Sequence, residues 1–225
     1  MTEKIFNPRV LIAFAGLTCI AGLLFLCNPQ AHAAGVADFE ALEKEIVKEV
    51  NLARTNPGAY AAWLRGQRQH YRGTQLRRPG EVPIRTQEGI KAVDEAIRFL
   101  ERQNPAGALG LSRGLSLAAR DLIAPQGGSG GFGHTGPDGS TPSQRIERHG
   151  TWESVIGENV AYGQRTARDV VAAFIVDDGV PGRGHRKNLF NEAFHVMGVD
   201  CGPHSTYGTT CAITFAGGFR EKTVP

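Results

Sequence analysis

Strong charge of either sign is missing from this chain. Lys and Arg number 25 against 22 Asp and Glu, and a net charge of +3 is too small to drive nucleic-acid binding. No zinc-finger spacing, RNA-binding signature or basic helical repeat supplies what the charge lacks, so no nucleic-acid partner is expected. Cysteine is scarce, with four in 225 residues and no CxxC pair, which excludes a cysteine-rich structural zinc cluster. The glycine-rich stretch from Gly127 to Gly139 lacks the Lys-Ser/Thr ending of a phosphate loop, and no predicted strand precedes it. Ser140 and Ser143 lie in no Gly-x-Ser-x-Gly elbow, so no serine nucleophile is expected. Internal repeats are absent.

The N-terminus carries the clearest positive signal. Lys4 and Arg9 precede an apolar run from Val10 to Leu26, a break at Asn28-Pro29, and small residues at Ala31 and Ala33. That order predicts a signal peptide over residues 1–33, cut after Ala33, and a secreted or periplasmic protein that meets the membrane only during export. An uncleaved anchor is the rival, although the run is short for a membrane span. A lipoprotein reading of Cys27 is opposed by the bulky Leu26 before it. Cleavage removes Cys19 and Cys27 and leaves Cys201 and Cys211, which flank a turn-rich segment. In an oxidising compartment this pair predicts a cross-strand disulfide, contributing roughly 2.5–3 kcal/mol by loop closure.

Residues 34–225 read as a single domain. Phe39, Leu42, Ile46, Val50 and Ala53 have helical spacing, and Asn56-Pro57 ends that helix. From Leu64 to Arg85 the pattern lapses, and six arginines (Arg65, Arg68, Arg72, Arg77, Arg78, Arg85) meet one acid, Glu81. This predicts a solvated insertion around 64–85, with an anionic envelope surface as its alternative partner. Thr86 is the expected cap of a helix with Ile90, Val93, Ile97 and Leu100 inside. A third helix carries Leu115, Ala118, Ala119, Leu122 and Ile123. A fourth, opened by Thr166 and Asp169, places Val170, Phe174 and Asp177 on one face. Strand-like runs at 195–200 and 211–216 follow. Helices first and a hairpin last predict an α+β fold with a helix-covered antiparallel sheet.

Three motifs then occur in order: Gly133-His134-Thr135, Gly157-Glu158-Asn159-Val160-Ala161-Tyr162-Gly163 and Gly184-His185-Arg186-Lys187-Asn188. From about Ala37 to Phe219 the chain resembles the CAP superfamily. That superfamily comprises the cysteine-rich secretory (SCP-domain) proteins, venom antigen 5 allergens, plant pathogenesis-related class 1 proteins and bacterial relatives. Gly136 to Pro142 followed by Arg145-Ile146 resembles the bacterial members. The resemblance implies a three-layer α-β-α sandwich with a central antiparallel sheet and a cleft lined by two histidines and two acids. By motif position these are His134, Glu158, Asp177 and His185. Asp177 stands where the family usually has Glu, with Asp178 as the fallback. Arg186-Lys187-Asn188 also departs from the eukaryotic pattern.

Neutral imidazoles are common zinc ligands, and nearby acids orient them, so His134 and His185 are candidate ligands for zinc or another divalent cation. The alternative is a buried polar network that braces the cleft. The leading expectation is a non-enzymatic module binding a small ligand, such as a lipid or cell-envelope component. Two further expectations are a metal-assisted hydrolase or peptidase with Glu158 as general base, and an envelope-surface interaction protein using the arginines. His70, His149, His195 and His204 are expected at the surface or in strands, Asn159 in a local turn and Trp152 in packing.

Overall fold

A computed structural model describes residues 29–223. The expected signal segment lies outside the described residues as far as Asn28, Cys19 and Cys27 included. Helix α1 (Pro29–Thr55) leads into α2 (Pro57–Arg68), and three two-residue strands follow: β1 (Tyr71–Arg72), β2 (Gln75–Leu76) and β3 (Ile84–Arg85). Next come α3 (Ile90–Leu100), β4 (Gly110–Leu111), α4 (Arg113–Ser129), α5 (Pro142–His149) and the long strand β5 (Gly150–Tyr162). The chain closes with α6 (Ala167–Val176), α7 (Gly184–Leu189), β6 (Val196–His204) and β7 (Gly208–Glu221).

The central sheet has the order β4-β6-β7-β5, antiparallel except for the short parallel β4–β6 pair. Alternation along its strands builds two cores. Ala161, Met197, Val199, Cys201, Cys211, Ile213 and Phe215 join the large core under α1, α2, α3, α6 and α7. Val160, Ala212 and Ala216 face the other way, against α4 and α5. The result is the α+β, three-layer α-β-α sandwich expected from the sequence. Cys201 and Cys211 sit opposite each other in register with Cα atoms 4.1 Å apart, and they are bonded.

Local expectations needed correction where long-range partners intervene. Asn56 accepts from the Ala59 amide and Pro57 takes the first turn, so Asn-Pro starts α2 as well as stopping α1. The expected insertion at 64–85 is mostly exposed, but its first residues complete α2 and the rest is not irregular. Arg65 pairs with Glu101, Arg68 with Asp94 and Arg78 with Asp169, and β1-β2-β3 forms a small sheet. Thr86 does not cap α3: its hydroxyl donates to the Thr74 carbonyl, and Gly89 is the cap residue.

Beyond β4, the outer edge of β6 has its backbone donors occupied. Val199 N–H donates to Ser116 Oγ at 3.0 Å, Cys201 N–H donates to Glu43 at 2.9 Å, and Pro203 has no N–H to offer. Asp200, between them, is raised to about 7, first by burial and then by the charge of Glu43, with Arg120 opposing. Burial raises Glu43 as well. The folded protein therefore keeps the Asp200 proton at pH 4–7, where the unfolded chain releases it. Stability from this group is lost as pH rises through that window, by something on the order of 2–4 kcal/mol. Urea unfolding at pH 5 and pH 8 should show the decline in the wild type and a flatter profile in Asp200→Asn. Parallel profiles for the two proteins would rule the group out.

Candidate functional site

His134 lies on the loop between α4 and α5, and the loop is fixed from behind. Gln126, buried in the last turns of α4, donates through Nε2 to the carbonyls of Gly133 and Thr135, both at 3.2 Å. The Tyr162 hydroxyl accepts from Gly133 N–H at 2.9 Å. His204, expected at the surface or in a strand, is the buried last residue of β6. Its Nε2 donates to Gly131 O at 2.8 Å, while Nδ1 accepts from the Thr206 and Tyr207 amides. That pattern fits the neutral Nε2–H tautomer.

Glu158 points from β5 to His134, with Oε1 2.9 Å from Nδ1. Both of its oxygens also accept from Nη2 of Arg145, at 3.0 and 2.8 Å. The same guanidinium donates to His134 O and, through Nη1, to Ser140 O.

The second pair is built at a helix junction. Asp177 is not a residue of the α6 face. It is the C-cap, in left-handed conformation at φ 53°, a region that Asp tolerates better than most residues. The turn sends its carboxylate to the start of α7. Oδ1 lies 2.6 Å from His185 Nδ1, and Oδ2 accepts from His185 N–H at 2.9 Å and Arg186 N–H at 3.4 Å. Asp177 thus closes one helix and caps the next. Its neighbour Asp178 turns away, accepting from the amides of Gln87, Glu88 and Gly89 ahead of α3. The fallback assignment is withdrawn.

The carbonyls at the end of α6 have guanidinium partners. Arg186, 3% exposed, donates to Ile175 O and Val176 O, and Arg183 donates to Asp177 O. Glu95 and Glu88 of the α3 region balance these cations, and Arg183 together with the Gly179 amide holds Glu88 down at about 2. A cavity of about 720 Å³ opens beside this cluster, over Phe99, Val180 and Pro181, and none of the four motif residues lines it.

All four motif residues come together across chain distances that local pattern cannot bridge. The His134 and His185 ring centroids are 6.2 Å apart with planes inclined at 36°. The acids are nearly inaccessible, at 3% and 1% side-chain exposure, while the imidazoles reach solvent at 47% and 23%. Each Nδ1 faces a carboxylate, which assigns a proton to Nδ1, and neither Nε2 has a hydrogen-bond partner among the described residues. Asn159 ties the halves together rather than forming a local turn. It is fully buried, donates to His185 O at 2.9 Å, and accepts from Asn188, which also donates to Glu158 O. Sequence reasoning missed the roles of Arg145, Asn159 and Arg186. The Arg145-Ile146 likeness to bacterial relatives was the one signal pointing at the first.

A family model described as "CAP: Cysteine-rich secretory protein family" matches residues 48–215, a span that includes all four. An uncharacterized protein of Bacillus subtilis, YkwD, is 35% identical over 68 residues, 30% of this chain and 24% of that protein. The chain therefore matches about a quarter of that relative's length. Among solved structures, an extracellular SCP-domain protein of Bacillus anthracis aligns with TM-score 0.41 and 19% identity, over 56% of this chain and 37% of that one. An outer surface protein of Borrelia burgdorferi aligns with TM-score 0.42 and 21% identity, over 52% and 80%. With the ordered motifs brought into one site and the family model spanning most of the sequence, this chain belongs to the CAP, or cysteine-rich secretory protein, family.

Proposed function

We propose that this is an exported, non-enzymatic binding module whose cleft takes hold of a small ligand through two imidazole acceptors, with a divalent cation such as zinc as the group that suits them. The observation that carries this reading is the pairing of each Nδ1 with a buried carboxylate, while neither Nε2 has a hydrogen-bond partner among the described residues. Carboxylate-backed histidines of this kind are typical metal ligands. No group of three or more potential ligands occurs among the described residues, so an ion here would rest on the two imidazoles and keep its other positions for water or ligand. Two imidazoles sharing one ion through bonds of about 2.0–2.1 Å have centroids at most about 6.4 Å apart, and about 5 Å apart at a tetrahedral angle. The observed 6.2 Å falls inside the first limit, so tetrahedral binding asks the rings to approach by about 1 Å. A bound divalent ion would supply a Lewis-acidic centre for ligand or water. The protein's own part is to hold both acceptors and fix their tautomers.

The signal-like N-terminus and the disulfide support export. A lipid or other envelope component is the ligand class suggested by the family resemblance. The hydrolase reading is weaker, because the Glu158 carboxylate is 3% exposed and already held by Arg145 and His134, which leaves little access for the water that a general base must reach. Three of the six insertion arginines have acidic partners, which lessens the case for an anionic-surface role.

Calorimetric titration with zinc tests the cation reading. Wild type should bind one ion per chain, and His134→Ala/His185→Ala should bind at least about tenfold more weakly. Equal affinity in the two proteins, or no binding by wild type, would remove the ion from the site.

A further inference from the structure

We infer that Arg145 is the positioning residue of this site: its guanidinium pins Glu158 and the His134 loop so that His134 Nδ1 stays paired with Glu158 and Nε2 remains the acceptor. The inference rests on the reading of the cleft as a pair of imidazole acceptors. Arg145 follows directly from the resources of α5. The helix opens with a capping box between Thr141 and Gln144, and Ile146 anchors its inner face in the smaller core. Arg145, about 100° around the helix from Ile146, is fully buried as well.

A buried guanidinium has five N–H donors and survives only if its surroundings supply acceptors. Here Nη1 takes Ser140 O at 2.8 Å, and Nη2 takes His134 O at 3.0 Å together with both Glu158 oxygens. Nε has no partner. The Nη contacts therefore set the orientation of the group, and they all converge on the His134 side of the site. Helix α5 by itself needs none of them.

The two acids differ in how their buried charge is compensated. Asp177 receives backbone amides from the start of α7. Glu158 receives no backbone amide among the described residues, only His134 and Arg145. Without the guanidinium only the imidazole holds Glu158, and the His134 carbonyl loses its buried donor, so the contact between Oε1 and Nδ1 is no longer fixed in place. An imidazole whose Nδ1 has lost its carboxylate partner is free to carry its proton on Nε2 instead, which turns that acceptor into a donor. Arg145 acts two bonds of influence away, through the partner of His134 and through its carbonyl, without touching whatever binds.

Long-range proton–nitrogen NMR of ¹⁵N-histidine-labelled protein reads the tautomers directly. In wild type, His134 and His185 should both be single Nδ1–H tautomers. In Arg145→Met, His134 should lose that signature while His185 keeps it as the internal control. In Arg145→Lys, which retains a positive charge beside Glu158 but has one nitrogen for all of these acceptors, His134 should show a partial loss. Arg145→Lys is the variant that decides if Arg145→Met does not fold. A folded variant of either kind with His134 unchanged overturns the positioning role and leaves the acceptor reading intact. Wild-type histidines in the Nε2–H form would overturn both.

Discussion

Gly198→Ala is expected to destabilise the fold by about 3 kcal/mol, the upper part of the range for overpacking, because there is nowhere for one methyl group to go. A Cβ on residue 198 would lie 2.0 Å from Ser116 N and 2.1 Å from Leu115 C. Both are backbone atoms of α4, so no side-chain rotation relieves the clash, and the helix must lift off the sheet. The lift also disturbs the hydrogen bond from Val199 N–H to Ser116 Oγ and the core contributed by Leu115, Ala119, Leu122 and Ile123. For a domain of this size the melting temperature should drop by roughly 6–12 °C. Gly128→Ala is the matched control. It lies in the same helix with open space around its missing Cβ, so its change should be neutral or stabilising by up to about 1 kcal/mol. Similar melting temperatures for the two variants would mean that α4 does not rest on β6 as closely as described.

The other large effect is expected at Asp177. Asp177→Ala removes the partner of His185 Nδ1 and the acceptor of two α7 amides, and it leaves alanine in the left-handed region. Unmade bonds to buried donors cost about 1–3 kcal/mol each, so a total of about 3–5 kcal/mol is expected from urea unfolding. Asp177→Asn keeps the left-handed tolerance and an acceptor oxygen, and should lose less. The instructive variant is Asp177→Glu, which restores the residue the family pattern usually has. It should still lose about 1–2 kcal/mol, because the extra methylene has to fit between a helix end and a helix start already within hydrogen-bonding reach. A Glu variant as stable as wild type would show that this junction, unlike the core, has slack.

The asymmetry between local and remote information explains what the sequence made readable. The apolar stripes of α1, α3 and α4 appear in the periodicity because a helix face faces a single core. The four site residues were readable only through ordered motifs. Nothing in the spacing of His134, Glu158, Asp177 and His185 shows that their side chains meet. What escaped were polar groups whose partners lie far along the chain. Asp178 holds amides ninety residues away and displaces Thr86 from the cap role. Arg54 is buried among carbonyls of Gly107, Leu189, Asn191 and Phe194. Arg145 and Arg186 likewise sit inside, although arginine is normally read as exposed. Asp177 was grouped with His185 for an incomplete reason, since its left-handed turn rather than its helical phase aims the carboxylate.

The occupied edge of β6 has a consequence for a protein crowded among its own copies. A strand added alongside Val199–Pro203 would need N–H groups to grip. One is held by a serine, one by a glutamate, and the third position is a proline. On that side the sheet offers an added strand carbonyls but no free N–H groups, so recruitment of a second chain into a continuous ladder loses half of its bonds.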